Sequence, residues 1–215
     1  MERVKTAFGI LKGSLIPLLA IPFAYSVLEQ GMMRLVGRDL SINSISGLFS
    51  GGFYSVGAVL ILYELVRVIF ITGYFGMILV VIDGGDINIS SFKLFLTRRK
   101  LLNILALEAV VIPILAAGCL LLIVPGIYWF VITIMAYFMV IASEDTGTFE
   151  AIARSVEVTG GMRWTIFTYS FLYFLLILIA SIQPVLSIIF ETFFTPLFYI
   201  VLALLYRECV NKHVQ

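Results

Sequence analysis

Long apolar runs alternate with short polar stretches along this chain, and the runs have the length of a bilayer. Six of them approach the roughly 20 predominantly apolar residues that a membrane-crossing helix needs. They run from about Gly13 to Val36, Gly51 to Ile82, Leu101 to Val124, Ile127 to Ala142, Trp164 to Ile182 and Leu186 to Tyr206. Pro17 and Pro22 predict a kink in the first. Pro125-Gly126 disfavours helix continuation and predicts a tight hairpin between the third and fourth runs, and Gln183-Pro184 predicts another between the fifth and sixth.

The polar stretches carry a different period. In "SEDTGTFEAIARSVEVTGGMRW", residues 143 to 164, Phe149, Ile152, Ala153 and Val156 recur at i, i+3, i+4 and i+7. This is one face of an amphipathic helix, with Thr148 as its N-cap, Gly160 as its stop and Trp164 as an interfacial anchor where the chain re-enters lipid. The N-terminus repeats the stripe with Val4, Ala7, Phe8 and Leu11, ended by Lys12-Gly13. "NISSFKLFLTRRK" repeats it with Asn88 or Ser90 as cap and Phe92, Phe95 and Leu96 as the apolar face. The expected architecture is an all-α integral membrane bundle of six transmembrane helices with three cytoplasmic amphipathic surface helices. It forms a single domain of three repeat units, 1–82, 83–142 and 143–215, each a surface helix followed by a two-span hairpin.

Composition supports lipid as the solvent. The chain is 61% hydrophobic and 13% charged, with a mean hydropathy of +1.11, whereas soluble domains carry about 45–50% apolar and about 25% charged residues. If the spans alternate, Arg3, Lys5, Lys12, Lys93, Arg98, Arg99, Lys100, Arg154, Arg163, Arg207 and Lys212 fall on one side and only Arg34 and Arg38 on the other. The positive-inside rule then makes both termini cytoplasmic, in an inner cell membrane. The basic N-terminus and "SLIPLLAIPFAYSVL" have the layout of a signal peptide, but "EQGMMR" supplies no small-x-small cleavage site, so the run is read as an uncut first span. A net charge of +1 gives no reason to expect nucleic acid. Cys119 and Cys209 read as packing residues rather than a disulfide pair.

A few residues bear on chemistry. Glu64 and Arg67 lie mid-run in "LYELVRVIF", where charges facing lipid cost about 2.5–3.5 kcal/mol each. Their i, i+3 spacing lets them pair, either to fix helix packing or to line a polar path. Glu108 and Glu191, also within apolar runs, are candidates to join them around a central site; Glu29, close to the outer end of its run, needs no special reading. His213 is the only histidine and lies in the tail, which excludes H-E-x-x-H zinc chemistry and a serine–histidine pair within the spans. "GLFSG" at 47–51 does not space its serine as a nucleophile elbow. Asp83 and Asp86 in "IDGGD" read as turn caps, and Gly73 and Gly76 as sites of close packing. No cofactor or metal is expected.

"LLLIVPGIYWFVITIMAYFMVIASEDTGTFEAIARSVEVTGGMRWTIF" resembles the membrane domain fused to some bacterial and archaeal glycerophosphoryl diester phosphodiesterases, and related stand-alone proteins of unknown function. The resemblance rests on Ile123 to Ile127, "EDTGTFEA", Ala151 to Ser155, Gly161 and Trp164. It implies a membrane domain without catalytic residues of its own; the phosphodiesterase domain is absent. Two functional readings follow. One is a non-enzymatic module that binds anionic lipid head groups or a protein partner through its basic cytoplasmic belt, with Lys12, Arg98, Arg99, Lys100 and Arg163 as contacts and Phe8, Phe92, Phe149, Ile152 and Val156 as the apolar faces. The other is a small transporter or channel built around Glu64, Arg67, Glu108 and Glu191. An interfacial hydrolase ranks behind both, since no nucleophile, base and metal set can be assembled.

Overall fold

The computed structural model describes residues 3, 4, 6, 7, 9, 14–39, 53–121, 123–143, 145–180 and 182–214. Phe8, Leu11, Lys12 and the whole of "GLFSG" lie outside the described residues. Eight helices are defined among them: α1 Leu15–Asp39, α2 Phe53–Ile82, α3 Ile89–Leu94, α4 Arg98–Leu121, α5 Ile123–Ala142, α6 Thr148–Val158, α7 Arg163–Ala180 and α8 Pro184–Val214. Residues 3, 4, 6, 7 and 9 are also helical, and there are no strands among the described residues. Four stretches, Gly57–Ile82, Arg98–Gly118, Arg163–Ala180 and Val185–Lys212, are long and apolar enough to cross a membrane; Tyr128–Ala142 is a shorter apolar helix.

Helix boundaries follow local chemistry. At the end of α2, Gly84 takes φ +81°. The Gly85 and Gly84 amides donate to the Val80 and Val81 carbonyls, a Schellman closure that favours glycine at this position. Asn88 caps α3, its side chain accepting from the Ser91 amide at 3.0 Å while Ser91 Oγ accepts from the Asn88 amide at 3.2 Å. The turn expected at Pro125-Gly126 is not there: both residues belong to the first turn of α5, where a proline's missing N–H would have had no helical partner anyway. Likewise Pro184 is the first residue of α8. The N-cap of α6 is Gly147, not Thr148, because the Thr148 hydroxyl is committed to the Asn103 carbonyl at 3.0 Å.

The core is centred on α5, buried without interruption from Val131 to Ile141, as befits a helix apolar on every face. Against it pack α4, as the antiparallel partner, and the middles of α2, α7 and α8; α1 lies on α2 and α8. Two short helices clamp this bundle. A Cβ on Gly73 would stand 2.5 Å from the Phe92 ring, and one on Gly76 would overlap the Phe95 ring, so these glycines let α3 and its C-cap residue lie directly on α2. α6 packs through a small polar face, Thr148, Ala151 and Ser155. The Ser155 hydroxyl donates to the Ile132 carbonyl, about ten residues and roughly 15 Å from the end of α5. It therefore leans into the flank of α4 and α5 rather than lying apart from them. Its predicted apolar stripe is turned outward at Phe149, 76% exposed, with Ile152 and Val156 half-buried.

Much of the outer surface is apolar. Leu60, Ile61, Leu62 and Leu65 of α2, and Leu172, Leu178 and Ile179 of α7, are exposed, an area larger than water-soluble monomers present. Trp164, 81% exposed, sits at one end of this belt.

Candidate functional site

Within the belt, polar side chains from five helices converge. Glu64 and Arg67 share a face of α2 one turn apart. Arg67 Nη2 donates to Glu64 Oε1 at 3.0 Å and to Glu108 Oε2 of α4 at 2.5 Å. The Glu108 side chain is 4% exposed, whereas those of Arg67 and Glu64 are about a quarter exposed. Tyr137 of α5 lies beside Glu108. A buried carboxylate requires such company, since an isolated charge in a low-dielectric interior is strongly disfavoured.

A second group adjoins the first through the backbone of α2. Tyr63 donates to Glu29 Oε1 of α1 at 2.7 Å, and Tyr25 contacts Tyr63 in turn. Glu191 of α8 lies close enough to repel Glu29. Its Oε1 accepts from Ser187 at 2.8 Å, while its Oε2 has no partner, nor does Arg67 Nε. Among the described residues Arg67 thus pairs with Glu64 and Glu108, while Glu29 and Glu191 are held by hydroxyls and have no ion-pair partner.

Of the residues singled out in the sequence, Glu64, Arg67 and Glu108 are brought into contact, and Glu191 joins through Glu29. Glu29 was assigned to the end of its span, but α1 continues to Asp39, so this glutamate stands about 15 Å inside the helix end. The tyrosines went unread. The Tyr25–Glu29 spacing of four and the Tyr63-Glu64 adjacency were the available signals.

Aromatic rings close the site toward the ends of α2, α5 and α8 that carry Ile82, Ala142 and Val214. Tyr25 stacks on Phe70 at 4.2 Å and Phe70 on Tyr74 at 5.1 Å. Phe138 stacks on Phe75 at 4.7 Å and on Tyr206 at 5.6 Å. Beyond them the polar stretches meet. Arg3 donates twice to Glu208 Oε2, at 3.0 and 2.6 Å; Arg207 pairs with Asp83; and Arg99 pairs with Asp145 at 3.2 Å. N-terminus, 83–100 segment, the polar stretch that begins at residue 143 and the tail therefore form one basic pole.

The described head-group candidates are largely occupied. Lys100 is 7% exposed with its ammonium 5.0 Å from the centre of the Phe95 ring. Arg163 donates to the Tyr128 hydroxyl at 3.1 Å and the Val156 carbonyl at 2.9 Å. Arg98 is exposed, and Lys12 lies outside the described residues. No family model, characterised relative or solved structure matches the chain.

Proposed function

We propose that this is a six-span membrane protein of three repeated units, with both termini cytoplasmic, that works as a small carrier or channel for protons or a monovalent cation. One observation carries the reading: Arg67 pairs with Glu64 and Glu108, while Glu29 and Glu191 belong to the same polar cluster with no cation paired to them among the described residues. Fully ionised, the group would hold three uncompensated negative charges in a medium that tolerates hardly one. Protons or a bound cation supply the balance, and exchanging that counter-charge is the elementary step of coupled transport. The partial exposure of Glu64 and Arg67 offers entry from the side away from the basic pole, and the aromatic stack closes the other. In this reading Arg67 fixes Glu64 and Glu108 by pairing with them, and Glu29 and Glu191 exchange the counter-charge.

The test is flux in proteoliposomes carrying a trapped pH dye, under imposed proton, sodium and potassium gradients. Flux well above protein-free vesicles, lost in Glu29→Gln and Glu191→Gln, supports the assignment. Flux no greater than in empty vesicles for all three ions overturns it.

A second reading, a lipid- or partner-binding module, draws on the basic pole, where Lys93 and Arg98 are exposed. It predicts tighter binding of anionic than neutral lipid in native mass spectrometry, weakened by Lys93→Ala with Arg98→Ala. The likeness to the phosphodiesterase membrane domain agrees with either reading.

A further inference from the structure

A cavity of about 380 Å³ lies between α4, α5, α7 and α8, with none of the glutamates of the cluster in its lining, and its size falls in the range of small-ligand pockets. Six rings line it: Phe130, Phe171, Tyr173, Phe174, Phe198 and Tyr199. Phe171 and Phe174 are exposed on the flank of the bundle, so the mouth opens sideways, toward lipid.

One polar side chain in the wall lacks a partner. Ser170 is 4% exposed and its hydroxyl makes no hydrogen bond. This sets it apart from Thr72, Thr133, Thr159, Thr168 and Thr192, each of which returns its hydroxyl to the carbonyl four residues earlier. Tyr173 already bonds Thr195 at 2.8 Å and stacks on Phe198 at 3.9 Å. Hydrogen-bonding capacity left unused in an apolar interior is unfavourable, and a ligand acceptor would recover that loss.

We infer that this cavity binds a flat, membrane-soluble ring compound bearing a carbonyl acceptor, the chemical class of the isoprenoid quinones, with Ser170 as the donor. Aromatic walls favour a planar ring through offset and edge contacts, a preference that a saturated chain cannot exploit. Depth argues the same way. Ser170 lies about seven residues from the start of α7, roughly 10 Å down the helix. The ester carbonyls of a phospholipid stay at the head-group boundary, whereas a quinone carries its carbonyls into the hydrocarbon.

The test is binding of a decyl-substituted benzoquinone to the full chain in lipid nanodiscs, with decanol as a ring-free competitor. Saturable binding is expected, unaffected by decanol, weakened about tenfold by Ser170→Ala and abolished by Ile177→Trp, which fills the cavity. Thermal melting of both variants establishes that they are folded, and Ser170→Thr, which restores a hydroxyl, recovers part of the affinity. The inference is overturned if the quinone does not saturate, if decanol displaces it equally well, or if folded Ser170→Ala and Ile177→Trp bind it as the parent does.

Discussion

Arg67 and Glu108 stand on different helices and meet at 2.5 Å, while the same Arg67 nitrogen also holds Glu64 at 3.0 Å. The ion pair read along one helix is thus a bridge between two, and α2 and α4 depend on it jointly.

Removing Arg67 alone strands the buried Glu108. Arg67→Ala is expected to destabilise the detergent-solubilised protein by about 3–5 kcal/mol, and the double change Arg67→Met with Glu108→Leu by clearly less. Glu64→Ala should be the mildest single change, because its side chain is partly exposed. Denaturant titration followed by circular dichroism measures all of these; strictly additive losses would refute the shared bridge.

The glycines of α2 are not equivalent. Gly76→Ala drives a methyl into the Phe95 ring and should cost about 1–3 kcal/mol, as overpacking does. Gly57 has open space where its Cβ would be, so Gly57→Ala should be neutral or stabilising by up to about 1 kcal/mol. Melting temperatures of the two variants should move in opposite directions, and Phe95→Ala should relieve the Gly76→Ala penalty.

Asn88→Ala removes the side-chain half of the α3 capping box, the bond accepted from the Ser91 amide, and should weaken this six-residue helix by about 1 kcal/mol. The measurable result is faster amide exchange across residues 89–94 with the long helices unchanged.

Ser155→Leu places a branched side chain where a hydroxyl now meets the Ile132 backbone, forcing α6 off the flank of α5. Trypsin cleavage after Arg154 should accelerate relative to the parent, while Phe149→Ser, altering an outward-facing position, should leave the rate nearly unchanged.

The six long helices were legible in the chain because runs such as Ile127 to Ala142 contain little but apolar residues, and such a run has few ways to satisfy its backbone away from water. The short helices were legible through their 3.6-residue period, as Phe149, Ile152 and Val156 illustrate, and the close-packing roles of Gly73 and Gly76 through the absence of any other use for them. Helix ends were read less well. Pro125 and Pro184 signal a break, but only the hydrogen-bond pattern reveals whether a proline sits in the turn or begins the next helix.

The pairing of Glu64 with Arg67 is a matter of helical pitch, and sequence spacing alone brings them together. Everything that crosses from one helix to another was decided by tertiary structure: Glu108 on Arg67, Tyr63 on Glu29, Ser155 on Ile132, and the ring-lined cavity beside Ser170. Periodicity states which face of a helix is apolar, but in a bundle surrounded by lipid both the buried and the outward faces are apolar, so the pattern cannot say which helix each face meets. Where α6 packs through Thr148, Ala151 and Ser155 instead of its apolar stripe, small side chains allow the backbones to approach closely, and the larger Phe149 is turned outward.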